Sequence, residues 1–221
     1  MTIKALIPAR SGSVRVKNKN IAPFAGSSLL EIKIKQMLRI PELDGVVVNS
    51  NSDEMLEIAR RLGAETVKRD DYYASSSVSI NEVCVNIAQN FDADIIVYTN
   101  ATNPLVKDES ISTAIAKYYE IADKHDSLNS AHAVKEFMWL NNNPVNYDPD
   151  NMPRSQDLPD ILALNFAFNI LPRDVMLKNR RIVGNKPYLF EIDKQEAVDI
   201  DDKIDFDFAE FLYKKEYLHE C

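Results

Sequence analysis

Cysteine is scarce, with Cys84 and Cys221 the only two in 221 residues. Their spacing fits no zinc site, and two thiols in so long a chain do not make a disulfide framework. Long apolar runs are missing too. The opening MTIKALIPAR holds an apolar stretch of a few residues, too short for a signal peptide or a membrane span. A cytoplasmic address, with no membrane partner, is therefore expected. Positive charge is in deficit: 26 Lys and Arg against 34 Asp and Glu leave a formal net charge of -8. That balance speaks against nucleic acid as a partner, because a phosphate backbone is held by clustered Lys and Arg. A local basic patch can still hold one small anion. Only five glycines occur, and neither the P-loop glycine–lysine pattern nor the Rossmann glycine triplet is among them.

What is present reads as one α/β domain. Hydrophobic residues make up 45% and charged residues 27%, an ordinary globular balance. Ile3 to Ala9 reads as a buried strand, Gly45 to Asn49 as a β-branched strand buried on both faces, and Glu65 to Lys68 and Ala93 to Thr99 as further strands. Between them lie helical patterns. One carries Leu29, Leu30, Lys33, Ile34, Met37 and Leu38; a second is capped by Ser50 or Ser52 and stopped by Gly63. A third turns Ile80, Val83, Cys84, Ile87 and Phe91 inward. A fourth, capped by Asp108, has Ile111, Ala114, Ile115, Tyr118 and Ala122 on one side. This alternation predicts a mostly parallel sheet with helices on both faces. From Asn141 to Pro159 the chain is rich in Asn, Asp and Pro and reads as a long loop or arm. Ile161 to Ile170 and Tyr188 to Ile192 read as strands, and Lys203 to Leu218 as a terminal helix. Tyr72, Tyr73 and Trp139 read as packing residues.

Two constellations carry chemistry. After the first strand, Ala9, Arg10, Ser11, Gly12 and Ser13 lead into Arg15, Lys17, Lys19 and Asn20. Small residues let backbone N–H groups approach a phosphate, and Arg offers paired planar donors for its oxygens. The loop falls beyond the carboxyl end of a strand, where open α/β sheets bind ligands. A solvated basic loop has the same composition, so both readings stand. The second constellation is Asp199 and Asp201, which share a side if their segment is extended. Such a pair suits Mg²⁺, which also takes substrate phosphates. The competing reading is an acidic helix N-terminus stabilised by the helix dipole, which Asp202 and Asp205 fit better than a metal role. Weaker candidates are Arg69 at a strand end, the serines between Ser75 and Ser79, and Thr99, Asn100, Thr102 and Asn103, able to read a base edge or sugar hydroxyls.

In order along the chain, IPARSGS with KNKNI, VVVNSNSDEMLEIARRLGAETVKRD, IIVYTNATNPL, PRSQDLP, NFAFNI and VDIDDKIDFDFAE resemble the N-acylneuraminate cytidylyltransferase family. The resemblance implies a single nucleotidyltransferase domain over residues 1–221, of the nucleotide-diphospho-sugar transferase-like fold: three-layer α/β/α with a mostly parallel sheet. A protruding dimerisation arm at about 134–165 would add to a partner's sugar pocket, so a homodimer is expected. The implied reaction transfers CMP from CTP to an acidic keto-sugar and releases pyrophosphate. Arg10, Lys19 and Asn20, with Ala9, Ser11, Gly12 and Ser13, would hold the triphosphate, and Arg69 and Asn100 would lie near the cytidine. Thr102, Asn103, Gln156 and Asn165 would face the sugar acid, and Asp199 and Asp201 would hold Mg²⁺.

The chain also departs from the pattern. Val14 stands where the family has Lys, with Arg15 next to it. Val106 replaces a terminal Arg, Ser76 an Asp, Phe166 a Gly and Ala163 a basic residue. Two other readings share these residues: a nucleotidyltransferase for a different sugar or base, and a non-catalytic nucleotide-binding relative.

Overall fold

The structure is a computed structural model that describes residues 1–13 and 15–218. Val14 and Cys221, both singled out above, lie outside the described residues. Seven strands form one sheet: β1 (Ile3–Ala9), β2 (Gly45–Ser50), β3 (Glu65–Lys68), β4 (Ile95–Thr99), β5 (Ser127–Val134), β6 (Ile161–Pro172) and β7 (Pro187–Glu191). Their order is β7-β5-β6-β4-β1-β2-β3. Only β6 runs against its neighbours; the other pairings are parallel.

Side-chain alternation along the strands builds two apolar layers. Ala5, Ile7, Val46, Val48, Ile95 and Val97 pack with α1 (Leu29–Arg39), α2 (Asp53–Arg61), α4 (Asp108–Ile121) and α6 (Lys203–Tyr213). Leu6, Val47, Ile96 and Tyr98 point the other way, toward α3 (Ile80–Gln89) and α5 (Arg173–Asn179). Central strands that are apolar on both faces therefore need helices on both sides. The expected three-layer α/β/α architecture is what forms. No helix among the described residues is long and apolar enough to cross a membrane.

Several local expectations are corrected. β4 starts at Ile95, not Ala93. Ile80 is exposed, because it opens α3 beside the Ser79–Glu82 capping box and faces outward. Ile121 takes the inward place expected of Ala122, which is exposed. Asp108 does not cap α4; its carboxylate accepts from Gln36 Nε2 at 3.0 Å and Arg39 Nε at 2.9 Å, tying α4 to α1. Ser52, not Ser50, caps α2, and Gly63 follows it at φ +89°. The terminal helix ends at Tyr213 and continues as one wider turn, Lys214–Leu218. Between β5 and β6 lie a small hairpin, Trp139–Leu140 with Asn143–Pro144, and two 3-10 turns, Pro149–Asn151 and Ser155–Asp157. Tyr72 and Trp139 are exposed and leave the core to smaller residues.

Candidate active site

The chain leaves β1 at the buried Ala9 and turns over the carboxyl ends of the parallel strands, where this class of sheet places ligands. Two asparagines fix the turn. Asn51, just past β2, accepts from Ser11 N at 3.0 Å and donates to Ser11 Oγ at 2.8 Å. Asn20 reaches back to the Arg10 carbonyl at 3.4 Å. Gly12 sits at φ +82°, a conformation glycine adopts without steric cost. The turn borders a cleft of about 200 Å³ lined by Arg10, Ser13, Arg15, Lys19 and Asn20, with Asn100 and Thr102 from the end of β4.

The acidic side of the cleft arrives from the segment before α6. Ile200 N donates to the Thr102 carbonyl at 3.0 Å, and Asn103 Nδ2 to the Val198 carbonyl at 3.1 Å. The Lys19 ammonium donates to the Ile200 carbonyl, joining residues 181 positions apart. Asp201 lines the cleft and pairs with Arg15 at 2.8 Å. Burial lowers the pKa of Lys19, while Asp199 and Asp201 pull it back up. Asp199 is raised, first by loss of solvent and then by Asp201, against a hydrogen bond from Thr102. Partly desolvated groups of both signs at a cleft mark a site for charged ligands.

Each sequence candidate has a definite place. Arg10, Ser13, Lys19, Asn20, Asn100, Thr102 and Asp201 are brought together. Ser11 and Gly12 shape the turn behind them. Asp199 and Asp201 do not face one space as an extended pair: Asp199 lines a neighbouring cavity of about 530 Å³ that shares Asn100 with the cleft. The segment is irregular and leads into a helix cap, so strand alternation does not apply there. Asp202 and Asp205 form a capping box on α6. Asn103 turns inward, fully buried, and Asn165 is buried with its Oδ1 accepting from Ser130 Oγ at 2.6 Å. Gln156 is exposed in the second 3-10 turn and lines no part of the cleft. Arg69 is buried after β3, donates to the Asn49 carbonyl at 2.8 Å and leaves its Nε unpartnered. It opens with Arg10, Ser75 and Ser76 onto a third depression. No carboxylate lies within ion-pair distance of Arg69 among the described residues.

Two of the departures gain a physical account. Val106 is buried and its carbonyl accepts from Gln36 at 2.5 Å, so this side chain serves the core and not the cleft. Arg15, the next residue after Val14 in the sequence, brings its guanidinium to the cleft. Sequence reading missed Lys33 as a buried charge: it is fully enclosed, donating to Gln36 Oε1 at 2.7 Å and the Asn103 carbonyl at 3.0 Å. Its place on the apolar face with Leu29, Leu30, Ile34 and Met37 was the available signal. Phe166, where the resemblance expects Gly, adopts φ +54° despite its side chain, a conformation glycine takes without steric cost.

A mostly parallel sheet with a basic turn beyond its carboxyl edge, faced across a cleft by Asp201, marks the class of nucleotide-handling α/β proteins. The family model for cytidylyltransferases matches residues 4–220, and the chain belongs to that family. It is 29% identical over 220 residues to the pseudaminic acid cytidylyltransferase of Campylobacter jejuni, covering 95% of each chain. It is 29% identical over 219 residues to the N-acylneuraminate cytidylyltransferase of Oncorhynchus mykiss, covering 94% of this chain and 49% of that one. A solved CMP:2-keto-3-deoxy-manno-octonic acid synthetase, complexed with CTP, matches with TM-score 0.74 over 98% of this chain and 100% of that one. At 13% identity that is a likeness of fold. The family, the enzyme class and the sheet architecture read from the sequence are borne out.

Proposed function

We propose that this cytidylyltransferase couples CTP to a small acidic keto-sugar of the nonulosonate type, in the cytoplasm and as a homodimer. The convergence of Arg10, Arg15 and Lys19 with Asp201 and Asn100 in one cleft carries the reading. Arg10, Lys19 and Asn20 hold the triphosphate and neutralise its oxygens. Arg69 and the serine loop face the cytidine, and Asn100 stands between nucleotide and acceptor. The anomeric hydroxyl of the sugar acid attacks the α-phosphorus, an O–P bond forms, the bond to pyrophosphate breaks, and the hydroxyl proton passes to solvent. Positioning and charge neutralisation supply the rate, since no protein group needs to form a covalent bond.

The donor set suits Mg²⁺. Among the described residues no cluster of three or more His, Cys, Asp or Glu could cage an ion. Mg²⁺ takes one or two carboxylates and completes its shell with water and phosphate oxygens. Asp201, which lines the cleft, would supply one such carboxylate, and Asp199, partly desolvated at the adjoining cavity, would supply the other. Bound there, the ion would polarise the α-phosphate.

The segment around 134–165, with Trp139, Leu140 and Met152 exposed, is the surface we assign to the partner subunit, bringing Gln156 to its sugar pocket. Light scattering giving a monomer mass at micromolar concentration would remove the dimer. The activity itself is tested by pyrophosphate release with Mg²⁺, CTP and a panel of keto-sugar acids. Release is expected with CTP and at least one acid. Silence across the panel with every nucleotide would leave a non-catalytic binding protein.

A further inference from the structure

The cavity beside the cleft has an unusual wall. The register of β6 against β5 breaks between Leu164 and Asn169, and within that bulge Phe166 sits at φ +54°. A left-handed backbone strains a residue with a side chain, a strain that glycine avoids. The surroundings hold the conformation from several directions. The Asn165 Oδ1 accepts from Ala167 N at 3.2 Å, and Ser130 Oγ accepts from Phe168 N at 3.1 Å. Thr99 Oγ1 donates to the Ala167 carbonyl at 2.8 Å, and Asn100 Nδ2 to the Phe166 carbonyl at 3.2 Å. Core packing does not explain why an aromatic ring occupies so strained a place, because Phe166 remains 38% exposed. Strain retained without burial points to a use for the ring.

That ring faces the cavity of about 530 Å³, whose walls include Ile80, Tyr98, Ile182 and Val183. The charged groups on it are Asp199 and Arg181. Arg181 spends its Nε on the Val183 carbonyl at 2.8 Å and its Nη2 on Asn185 Oδ1 at 2.7 Å, so its fork is fixed at the wall. Asn100 belongs to both spaces: it lines the phosphate cleft and anchors the Phe166 carbonyl. A molecule whose hydroxyl meets a phosphate in the cleft therefore extends past Asn100 into this cavity.

We infer that Phe166 is a specificity-determining residue, walling an apolar subsite that selects sugar acids carrying small apolar substituents, such as N-acyl methyl groups, over fully hydroxylated ones. This rests on the acceptor reading above. A hydroxyl placed against such a wall loses its water without gaining a partner, a cost an acyl methyl does not incur. One methyl-sized difference in an apolar pocket is worth about 10- to 200-fold in selection.

The test compares wild type with Phe166→Gly and Phe166→Asn, both compatible with positive φ. Pyrophosphate release is measured with CTP and two keto-sugar acids, one N-acylated and one fully hydroxylated, and CTP binding is followed separately by calorimetry. Wild type is expected to prefer the acylated acid, and both variants to lose about tenfold or more of that preference in kcat/KM. The loss should fall mainly on acceptor KM, with CTP affinity unchanged and Phe166→Gly melting no lower than wild type. An unchanged preference ratio with intact CTP binding overturns the role of Phe166 and leaves the acceptor reading standing. If wild type binds CTP and neither binds nor turns over either acid, the acceptor reading itself falls.

Discussion

Lys33→Met should flatten the pH dependence of stability. In the folded protein burial drags the Lys33 ammonium from 10.5 down to about 7, with Asp108 opposing. In the unfolded chain the same group keeps its ordinary value. At about 1.4 kcal/mol per tenfold change, the fully protonated lysine costs the fold roughly 4 to 5 kcal/mol as an upper bound. Between about pH 7 and about pH 10 the unfolded state binds the extra proton, so stability rises with pH across that window. Below about pH 7 both states are protonated and the cost is constant. From about pH 7 to about pH 9 the wild type should gain about 2 kcal/mol relative to Lys33→Met. Urea unfolding at several pH values measures it, and other titrating groups cancel in the difference. The absolute stabilities are a poorer readout, since removing Lys33 leaves the Asn103 carbonyl and Gln36 Oε1 without their donor, at about 1–3 kcal/mol each. Parallel stability curves for the two proteins would refute the reasoning.

Adjacent aspartates should separate cleanly. Asp201→Asn is expected to lower kcat about 100-fold or more, because the carboxylate proposed to hold Mg²⁺ loses its charge, with little change in stability, since its pair with Arg15 is exposed. Asp202→Ala should do the reverse. It removes the acceptor for Ile204 N at 2.8 Å and Asp205 N at 3.1 Å, costing about 1 kcal/mol of stability with turnover nearly intact. Equal activity losses in the two variants would put both residues in the same structural role.

The parts of the fold legible in the sequence were those whose burial matches their residue types. Gly45–Ser50 and Ile95–Thr99 are apolar because they are covered on both faces. β5 gave no such signal. Ser127, Asn129 and Ser130 are fully buried, and each is satisfied by a partner remote in sequence or chosen by the fold. Asn129 donates to Asn169 at 2.8 Å, and Ser130 to Asn165. A buried polar ladder looks like a loop until its partners are known. α5 has seven residues, too few to establish a period. In the site, the basic turn and the acidic segment were visible as residue types, while their meeting rested on family resemblance. The Phe166 cavity was invisible, because a sequence shows the residue and not the sign of its φ.

The tie from Lys19 to the Ile200 carbonyl also makes the cleft a product of both ends of the chain. Phe24 stacks edge-on against Phe206 at 5.3 Å, and Ala25 N is held by Glu210 at 2.8 Å. The basic turn is thus buttressed, as well as faced, by chain that leaves the ribosome more than 170 residues later. A nascent polypeptide with its first five strands already made holds the basic wall of the cleft without the segment that closes it from the other side.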